Sequence, residues 1–223
     1  MFDVTPVKNA DWNKFLSNTK DNPPSGTLLK ALQLFENEGQ PIGSLALDLG
    51  CGAGRDSLEL LRRGWKVFAI DANEQAIDMV RRRASLAKAI GIKLKVARFE
   101  STDFPECSLV NAAYSLPFCP PEVFPKVWQR VSRALKGGGR FSGQLFGIHD
   151  EWVTDERMNF HARKEVLSLL KSFEVESLEE LEEDGKTSSG SPKHWHVFHI
   201  VARKQVRNHH PSSLIGQNRP REK

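Results

Sequence analysis

A short glycine-rich segment, Gly50-Cys51-Gly52-Ala53-Gly54, has the residue types and spacing of a ligand-binding turn. It follows an apolar run at residues 43–49 and precedes a segment with helical spacing of its apolar residues. Glycines between a buried strand and a helix leave backbone amides uncovered, so a ligand can approach them at the start of the helix. The segment therefore predicts a ligand site at the carboxyl end of the first strand.

The glycine spacing separates two classes of ligand. A dinucleotide turn has the pattern G-x-G-x-x-G, which makes room for a pyrophosphate. Here Gly50, Gly52 and Gly54 alternate with other residues, and Arg55 stands where the third glycine of that pattern would be. Asp48, two residues before the turn, would repel a pyrophosphate but would suit a ligand that carries an ammonium and a sulfonium group. The spacing thus disfavours a nicotinamide dehydrogenase.

Asp71 ends the second predicted strand, about 20 residues after the first glycine. A carboxylate at this spacing can accept hydrogen bonds from both hydroxyls of a ribose. This spacing alone fits either class of ligand, and an N-cap of the next helix is the simpler alternative for Asp71. Cys51 is interpreted as a small residue of the turn rather than a nucleophile.

Several segments resemble the class I S-adenosylmethionine-dependent methyltransferases. Residues 45–83 resemble motifs I and II of that family, and Gly-Arg-Asp-Ser at 54–57 is most similar to its tellurite-resistance and related small-molecule branch. Residues 97–100, 111–118 and 137–140 continue the similarity in order. The resemblance implies an enzyme that transfers a methyl group from S-adenosylmethionine, its cofactor, to a small-molecule acceptor.

The resemblance also implies which residues hold the cofactor. The glycines would line its methionine end, Asp48 would lie near its ammonium group, and Asp71 would bind its ribose. Glu100 and Ser101 would flank the adenine, although Glu100 has the alternative of an ordinary loop carboxylate. The full predicted cofactor set is Asp48, Gly50, Cys51, Gly52, Gly54, Arg55, Asp71, Ala72, Glu100, Ser101, Ala113 and Tyr114.

The acceptor must lie in line with the methyl group, and orientation supplies much of the rate enhancement. A soft nucleophile needs little more, whereas an alcohol, phenol or carbon acid needs a base near its proton. In open α/β sheets ligands bind at the carboxyl ends of the parallel strands. The polar candidates there are Tyr114, His149, His194 and His196, which we predict to converge as the catalytic set.

Each of these histidines has a packing or hydrogen-bonding role as its alternative. No metal is predicted, although His194 and His196 with a third residue have the side-chain chemistry of metal ligands. The segment Asn111-Ala-Ala-Tyr lacks the Asp/Asn-Pro-Pro-Tyr/Phe element of exocyclic-amine methyltransferases, which argues against adenine or glutamine as the acceptor.

The elements that must position these residues alternate between strand and helix, which predicts a doubly wound α/β domain. The predicted strands cover residues 43–49, 66–70, 93–98, 109–114, 140–146, 173–181 and 195–202, and the predicted helices cover 54–63, 73–89, 122–135 and 162–170. The polar loop 184–193 leaves no room for a helical crossover, so the last two strands form an antiparallel hairpin. The resemblance implies a Rossmann-like seven-stranded sheet in the order 3-2-1-4-5-7-6, with strand 7 antiparallel.

The length and composition fit one domain at residues 1–204, with N-terminal helices at 1–42 over the cofactor site. Residues 203–223 carry six basic residues and one acid, so the net charge of +4 comes from this end of the chain. The tail, 205–223, is basic, polar and expected to be flexible. Nucleic acid is therefore not expected as a partner. A methyltransferase acting on RNA or protein, and a non-catalytic S-adenosylmethionine-binding module, stay open as alternatives. With three cysteines, no apolar run that could span a membrane and no secretory signal, a cytoplasmic location is expected.

Overall fold

The computed structural model describes residues 12–39 and 42–206, so the predicted tail from residue 207 and the first eleven residues lie outside the described part. Helices and strands alternate along most of the chain. The helices are α1 (Trp12–Thr19), α2 (Gly26–Asn37), α3 (Arg55–Arg62), α4 (Glu74–Leu86), α5 (Phe124–Ala134) and α6 (Arg163–Leu169). The strands are β1 (Leu45–Leu49), β2 (Lys66–Asp71), β3 (Ile92–Val96), β4 (Cys107–Ala112), β5 (Leu135–Gly147), β6 (Phe160–His161), β7 (Phe173–Lys186) and β8 (Pro192–Lys204).

The strands form one sheet in the order β3-β2-β1-β4-β5-β8-β7. Neighbours from β3 to β5 are parallel, whereas β8 is antiparallel to both β5 and β7. This confirms the predicted order and the predicted terminal hairpin. A two-residue strand, β6, pairs with the end of β5 and was not predicted, so the sixth and seventh predicted strands are β7 and β8.

Both faces of the sheet are covered, which explains why β1 is apolar at nearly every position. On one face, here called the α2 face, side chains of α2, α3 and α4 pack on Ala46, Val67 and Leu109. On the other, the α5 face, side chains of α5 and α6 pack on Leu47 and Val110. Alternate residues of a strand point to opposite faces, so each functional side chain can be assigned to one of them.

The terminal hairpin is longer than predicted. The loop was predicted at 184–193, but β7 continues to Lys186 and β8 begins at Pro192. The largely exposed acidic run 179–184 lies in the last part of β7, and its backbone pairs with β8: Glu182 lies opposite His196, and Asp184 lies opposite His194. Hydrophobicity did not reveal this extension because the pairs that close it are charged.

The start of β5 was also predicted wrongly. Gly137, Gly138 and Gly139 were interpreted as a turn after α5, but they lie inside β5, which begins at Leu135. The pairing register of β4 and β5 shifts between Cys107 and Leu109, next to these glycines. Gly138 has φ +82°, and a side chain on Gly139 would reach within 2.8 Å of the Ser108 carbonyl oxygen. The glycines therefore form an irregularity within the strand rather than a stop between elements.

The N-terminal helices lie beside the glycine-rich turn. Leu16 of α1 packs on Ala53 of the turn and Ala76 of α4. Helix α2 buries Leu28 and Leu32 on the α2 face. Together they cover the carboxyl edge of β1 from one side. No helix in the described ranges is long and apolar enough to cross a membrane.

Candidate functional site

The three glycines of the turn serve two different purposes. A side chain on Gly50 would lie 2.4 Å from the Cβ of Ser115, and one on Gly54 would lie 2.7 Å from a methyl of Val80. Both glycines have positive φ, +69° and +81°, so packing and backbone conformation each require them. At Gly52 the same atom would meet only Leu16, at 3.6 Å. The turn is therefore most accessible at Gly52, as a ligand-binding turn requires.

Asp71 lies at the carboxyl end of β2 and holds the turn from its side. Its two oxygens accept hydrogen bonds from the backbone N–H groups of Gly52, at 2.9 Å, and Asn73, at 2.8 Å. Burial raises the pKa of its carboxyl, and these backbone donors oppose that rise. Because a carboxylate oxygen can accept more than one hydrogen bond, both oxygens can also accept from ribose hydroxyls. The N-cap of α4 is Asn73 rather than Asp71.

Asp48 lies beneath the turn in a buried polar network on the α2 face. Its carboxylate accepts from the Ser57 hydroxyl at 2.5 Å and from the Asn111 amide at 2.9 Å. The same amide donates to Asp56 at 3.0 Å. Burial, and then the nearby Asp56 carboxylate, raise the pKa of Asp48 to about 7. Its expected position near an ammonium group stays a prediction, and a direct contact would compete with these donors.

The adenine side of the predicted site is a short 3-10 turn after β3. Glu100 is paired with Arg98, and the Ser101 hydroxyl donates to the Arg98 carbonyl at 3.1 Å. Phe99, which sequence reasoning missed, lies 3.5 Å from where a side chain on Gly50 would begin. An apolar ring beside the turn is the signal that could have identified Phe99 as a surface for a flat base.

The other predicted cofactor residues beside the turn are Cys51, Arg55, Ala72 and Ala113. Cys51 is buried, its N–H donates to the Ile70 carbonyl at 3.1 Å, and burial raises the pKa of its thiol well above the ordinary range. A protonated, buried thiol is a packing group rather than a nucleophile. Arg55 is partly exposed, 3.5 Å from Asp56. Ala72 is exposed after the end of β2, and Ala113 is half-buried after the end of β4.

Tyr114, directly after β4, has an unusual backbone conformation. Its φ is +54°, which is strained for a residue with a large side chain. Its N–H donates to Gln144 Oε1 at 3.0 Å, and Gln144 Nε2 donates to the Thr27 hydroxyl at 3.1 Å. A strained backbone conformation persists only where surrounding contacts hold it in place, and such positions are common at functional sites. The Tyr114 ring lies 6.1 Å from the His199 ring and 6.4 Å from the Phe146 ring, all on the α2 face.

Aromatic rings continue this surface between α1 and the strands. The rings of Trp12 and Phe118 are 5.1 Å apart, and those of Phe118 and Phe146 are 6.2 Å apart. Trp152 and Trp195 complete the cluster beyond Phe146. We call these rings, with Tyr114, the aromatic wall. Phe146 is buried and the other rings are half-buried, and a largely apolar lining with a few polar groups is usual for a small-molecule site.

A buried ion pair supports the far end of the aromatic wall. Lys193 Nζ lies 2.5 Å from Asp150 Oδ1, and both side chains are fully buried. The ammonium also lies 3.7 Å from the centre of the Trp195 ring and 4.4 Å from that of Trp152. Asp150 accepts from the Trp152 N–H as well, at 3.0 Å. The pair thus fixes the segment after β5 against the start of β8.

The predicted convergence of Tyr114 with His149, His194 and His196 is wrong. On β8, His194 and His196 share a face with Phe198, which belongs to the core of the α5 face. Tyr114 contacts His199, which points to the other face. The four residues do lie at the predicted edge of the sheet. However, successive side chains of β8 point to opposite faces, so His194 and His196 lie on the face opposite Tyr114.

The three histidines do lie together on the α5 face. The rings of His149 and His196 stack at 4.9 Å, and the His149 N–H donates to His196 Nδ1 at 3.1 Å. His149 Nδ1 lies 3.0 Å from Glu182, and His194 Nε2 lies 3.5 Å from the same carboxylate. His161 is separate: it lies in β6 and contacts Asn159 at 2.8 Å.

Comparison with known proteins agrees with this geometry. Residues 46–139 match the family described as a methyltransferase domain. The chain is 29% identical over 126 residues to the sterol 24-C-methyltransferase of Eremothecium gossypii, an alignment that covers 55% of this chain and 32% of that protein. The chain thus spans about a third of the length of that relative.

Solved structures show the same fold. TehB from Haemophilus influenzae is similar with a TM-score of 0.72 at 18% identity, over 86% of this chain and 66% of that one. The magnesium protoporphyrin IX methyltransferase of Synechocystis, solved with bound S-adenosylmethionine, gives a TM-score of 0.66 at 13% identity, over 92% and 99%. The 1,6-didemethyltoxoflavin-N1-methyltransferase of Burkholderia thailandensis gives 0.61 at 18%, over 87% of each chain.

The family match and the fold agree with each other. The predicted resemblance is confirmed: residues 46–139 match the methyltransferase-domain family, and the chain shares its fold with S-adenosylmethionine-dependent methyltransferases.

Proposed function

We propose that the protein transfers a methyl group from S-adenosylmethionine to a small, largely apolar acceptor by in-line displacement. The observation that carries the proposal is the juxtaposition of an accessible Gly52 and the Asp71 carboxylate, which joins the cofactor turn to the end of β2. In this proposal the cofactor lies along the carboxyl edge of β1 and β2. Its methyl group is directed toward Tyr114.

The aromatic wall supports the choice of acceptor. Its rings offer flat apolar surface, and its polar groups are few. The similar proteins are named for acceptors of this kind: a sterol, a porphyrin and the heterocycle 1,6-didemethyltoxoflavin. A flat or hydrophobic small molecule is therefore the acceptor class that fits the wall best.

Among the described residues, the polar groups beside Tyr114 supply no ready base. Burial raises the pKa of the Tyr114 phenol, so it stays protonated at neutral pH. Burial lowers the pKa of His199, which is therefore neutral. Because the Tyr114 N–H fixes Gln144 Oε1, the Gln144 Nε2 donor faces His199 Nδ1 at 3.4 Å, which places the imidazole proton on Nε2. We infer an acceptor atom that needs little help with its proton, such as a thiolate sulfur or a ring nitrogen.

An acceptor panel tests this proposal. Release of S-adenosylhomocysteine is measured with aromatic thiols and nitrogen heterocycles in one set, and with alcohols and carbon acids of similar size in the other. We expect turnover in the first set. Turnover confined to the second set would contradict the absence of a base. Cofactor binding with no turnover in either set, or turnover on RNA or protein alone, would favour the corresponding alternative function.

A further inference from the structure

Outside the aromatic wall, one cluster has the composition of a metal site. His149, Glu182 and His196 each offer a ligand atom, and these three atoms all lie within 4.8 Å of one another. They come from three separate places: the segment after β5, strand β7 and strand β8. We propose that they bind a divalent transition-metal ion on the α5 face, opposite the methyl-transfer site.

The side chains are held in place by other contacts. His196 is buried, and its Nε2 lies 3.0 Å from Glu180, which is ion-paired with Arg163 at 2.6 Å. Its Nδ1 accepts from the His149 N–H at 3.1 Å, so Nδ1 is the nitrogen that would exchange this donor for the ion. Metal-binding histidines are generally oriented by a carboxylate or carbonyl in this way. His149 and Glu182 are half-exposed, so an ion can reach the cluster from solvent.

The donor set selects the kind of ion. Two imidazoles and a carboxylate suit zinc, nickel, cobalt or copper, whereas magnesium and calcium prefer sites made of oxygen atoms. The nearby Glu180 and His194 add a second carboxylate and a third imidazole around the cluster. The local charge is negative enough to attract a cation, because Glu180, Glu182 and Asp184 follow one another on this face of β7.

An ion here would link the α5 face to the aromatic wall. Asp150 follows His149 directly and forms the buried pair with Lys193, and it caps the segment that carries Trp152. Binding would therefore hold the segment after β5 on two sides, through His149 on the α5 face and through Asp150 beside the aromatic wall. In this account the ion has a structural role and takes no part in the methyl-transfer step.

Calorimetric titration of the full chain with zinc tests the proposal. Tag-free protein is stripped with a chelator and carries His209→Ala and His210→Ala, because these two histidines lie outside the described residues and are metal ligands by type. We expect one zinc ion per chain and a higher melting temperature in its presence, since a ligand of the folded state stabilises it. Magnesium in place of zinc should produce neither effect.

Two surface variants decide the outcome. His149→Ala and Glu182→Gln remove half-exposed ligands without opening the core, and each should weaken zinc binding by at least about tenfold. Glu183→Gln is the matched control, because it is the next residue on β7 and lies opposite Trp195, on the other face. Unchanged zinc affinity in both ligand variants, an equal loss in the control, or no saturable binding would overturn the proposal.

Discussion

The two halves of the sheet are built in different ways. The half formed by β1, β2 and β4 positions the cofactor turn with residues that belong to recognisable local motifs, such as Gly52 and Asp71. The half formed by β5, β8 and β7 positions the aromatic wall by pairings that are distant in sequence, such as Tyr114 with Gln144 and Asp150 with Lys193. The first half is encoded by a motif, and the second by the register of strands. Four experiments separate the two kinds of construction.

The largest effect on stability is expected at the cofactor turn. Gly50→Ala introduces an atom 2.4 Å from Ser115 and strains a backbone with φ +69°. We expect a loss of about 2–4 kcal/mol in the free energy of unfolding. Gly190→Ala, in the loop between β7 and β8, is the control, because φ is +89° there and nothing lies within 4 Å. Equal losses in chemical denaturation would show that backbone strain, rather than packing of the turn, is the whole effect.

Next in size is cofactor binding at Asp71. Asp71→Ala removes the acceptor for ribose hydroxyls and the partner of the Gly52 N–H, so affinity should fall by about 1–3 kcal/mol. Titration calorimetry with S-adenosylhomocysteine measures this change. Glu74→Ala, in the first turn of α4, controls for the loss of one nearby carboxylate. A folded Asp71→Ala variant with unchanged affinity would place the ribose contact elsewhere.

A smaller effect, confined to binding of the acceptor, is expected from substitution of His199. His199→Ala removes a neutral polar group beside Tyr114, on a strand that β4 and β5 separate from β1. If it positions the acceptor, KM should rise by about tenfold while kcat and the affinity for S-adenosylhomocysteine change little. Steady-state kinetics and calorimetry on one preparation distinguish these outcomes. A fall in kcat of about 100-fold or more would instead identify His199 as an acid–base group.

The last signal is a pH dependence of stability at Asp48, which is measured as a difference between two proteins. Its pKa is raised from 3.8 to about 7 in the folded protein, so it keeps a proton that the unfolded chain has lost. Its contribution to stability is therefore present below about pH 4 and lost as the pH rises through about 7. Asp48→Asn should abolish this component.

Stability curves of Asp48→Asn and the parent should consequently diverge in favour of the variant between about pH 4 and 7. The carboxyls of Glu38 and Glu59, whose pKa values are lowered by arginines, change the stability only below about pH 4.5, and they do so equally in both proteins. Parallel curves would show that Asp48 is ionised in the folded protein.

The sequence best predicted the positions of residues that depend on adjacent segments of the chain. Gly50, Gly54 and Asp71 could be located because the turn, its helix and the end of β2 follow from local patterns, whereas the strand order was implied by the family resemblance. Phe99 was missed because its role depends on its distance to Gly50 in space. The buried Lys193 was missed because a lysine between polar residues carries no signal of burial until Asp150 is placed beside it.

The histidines show why the second half was harder. Topology correctly predicted that β8 begins at the carboxyl edge of β5. The face of each residue depends on the register of β5 and β8, and a shift of one residue exchanges the faces. His196 and His199 lie on the same strand but on opposite faces of the sheet. The structure places His196 on the α5 face and His199 beside Tyr114.

The central claim is that the glycine-rich turn binds S-adenosylmethionine. Titration of the parent protein with S-adenosylmethionine, S-adenosylhomocysteine, NAD and NADP under identical conditions tests it most directly. The account predicts saturable one-to-one binding of the two sulfur compounds and none of either nicotinamide. Binding of NAD or NADP in the absence of any binding of the sulfur compounds would contradict it.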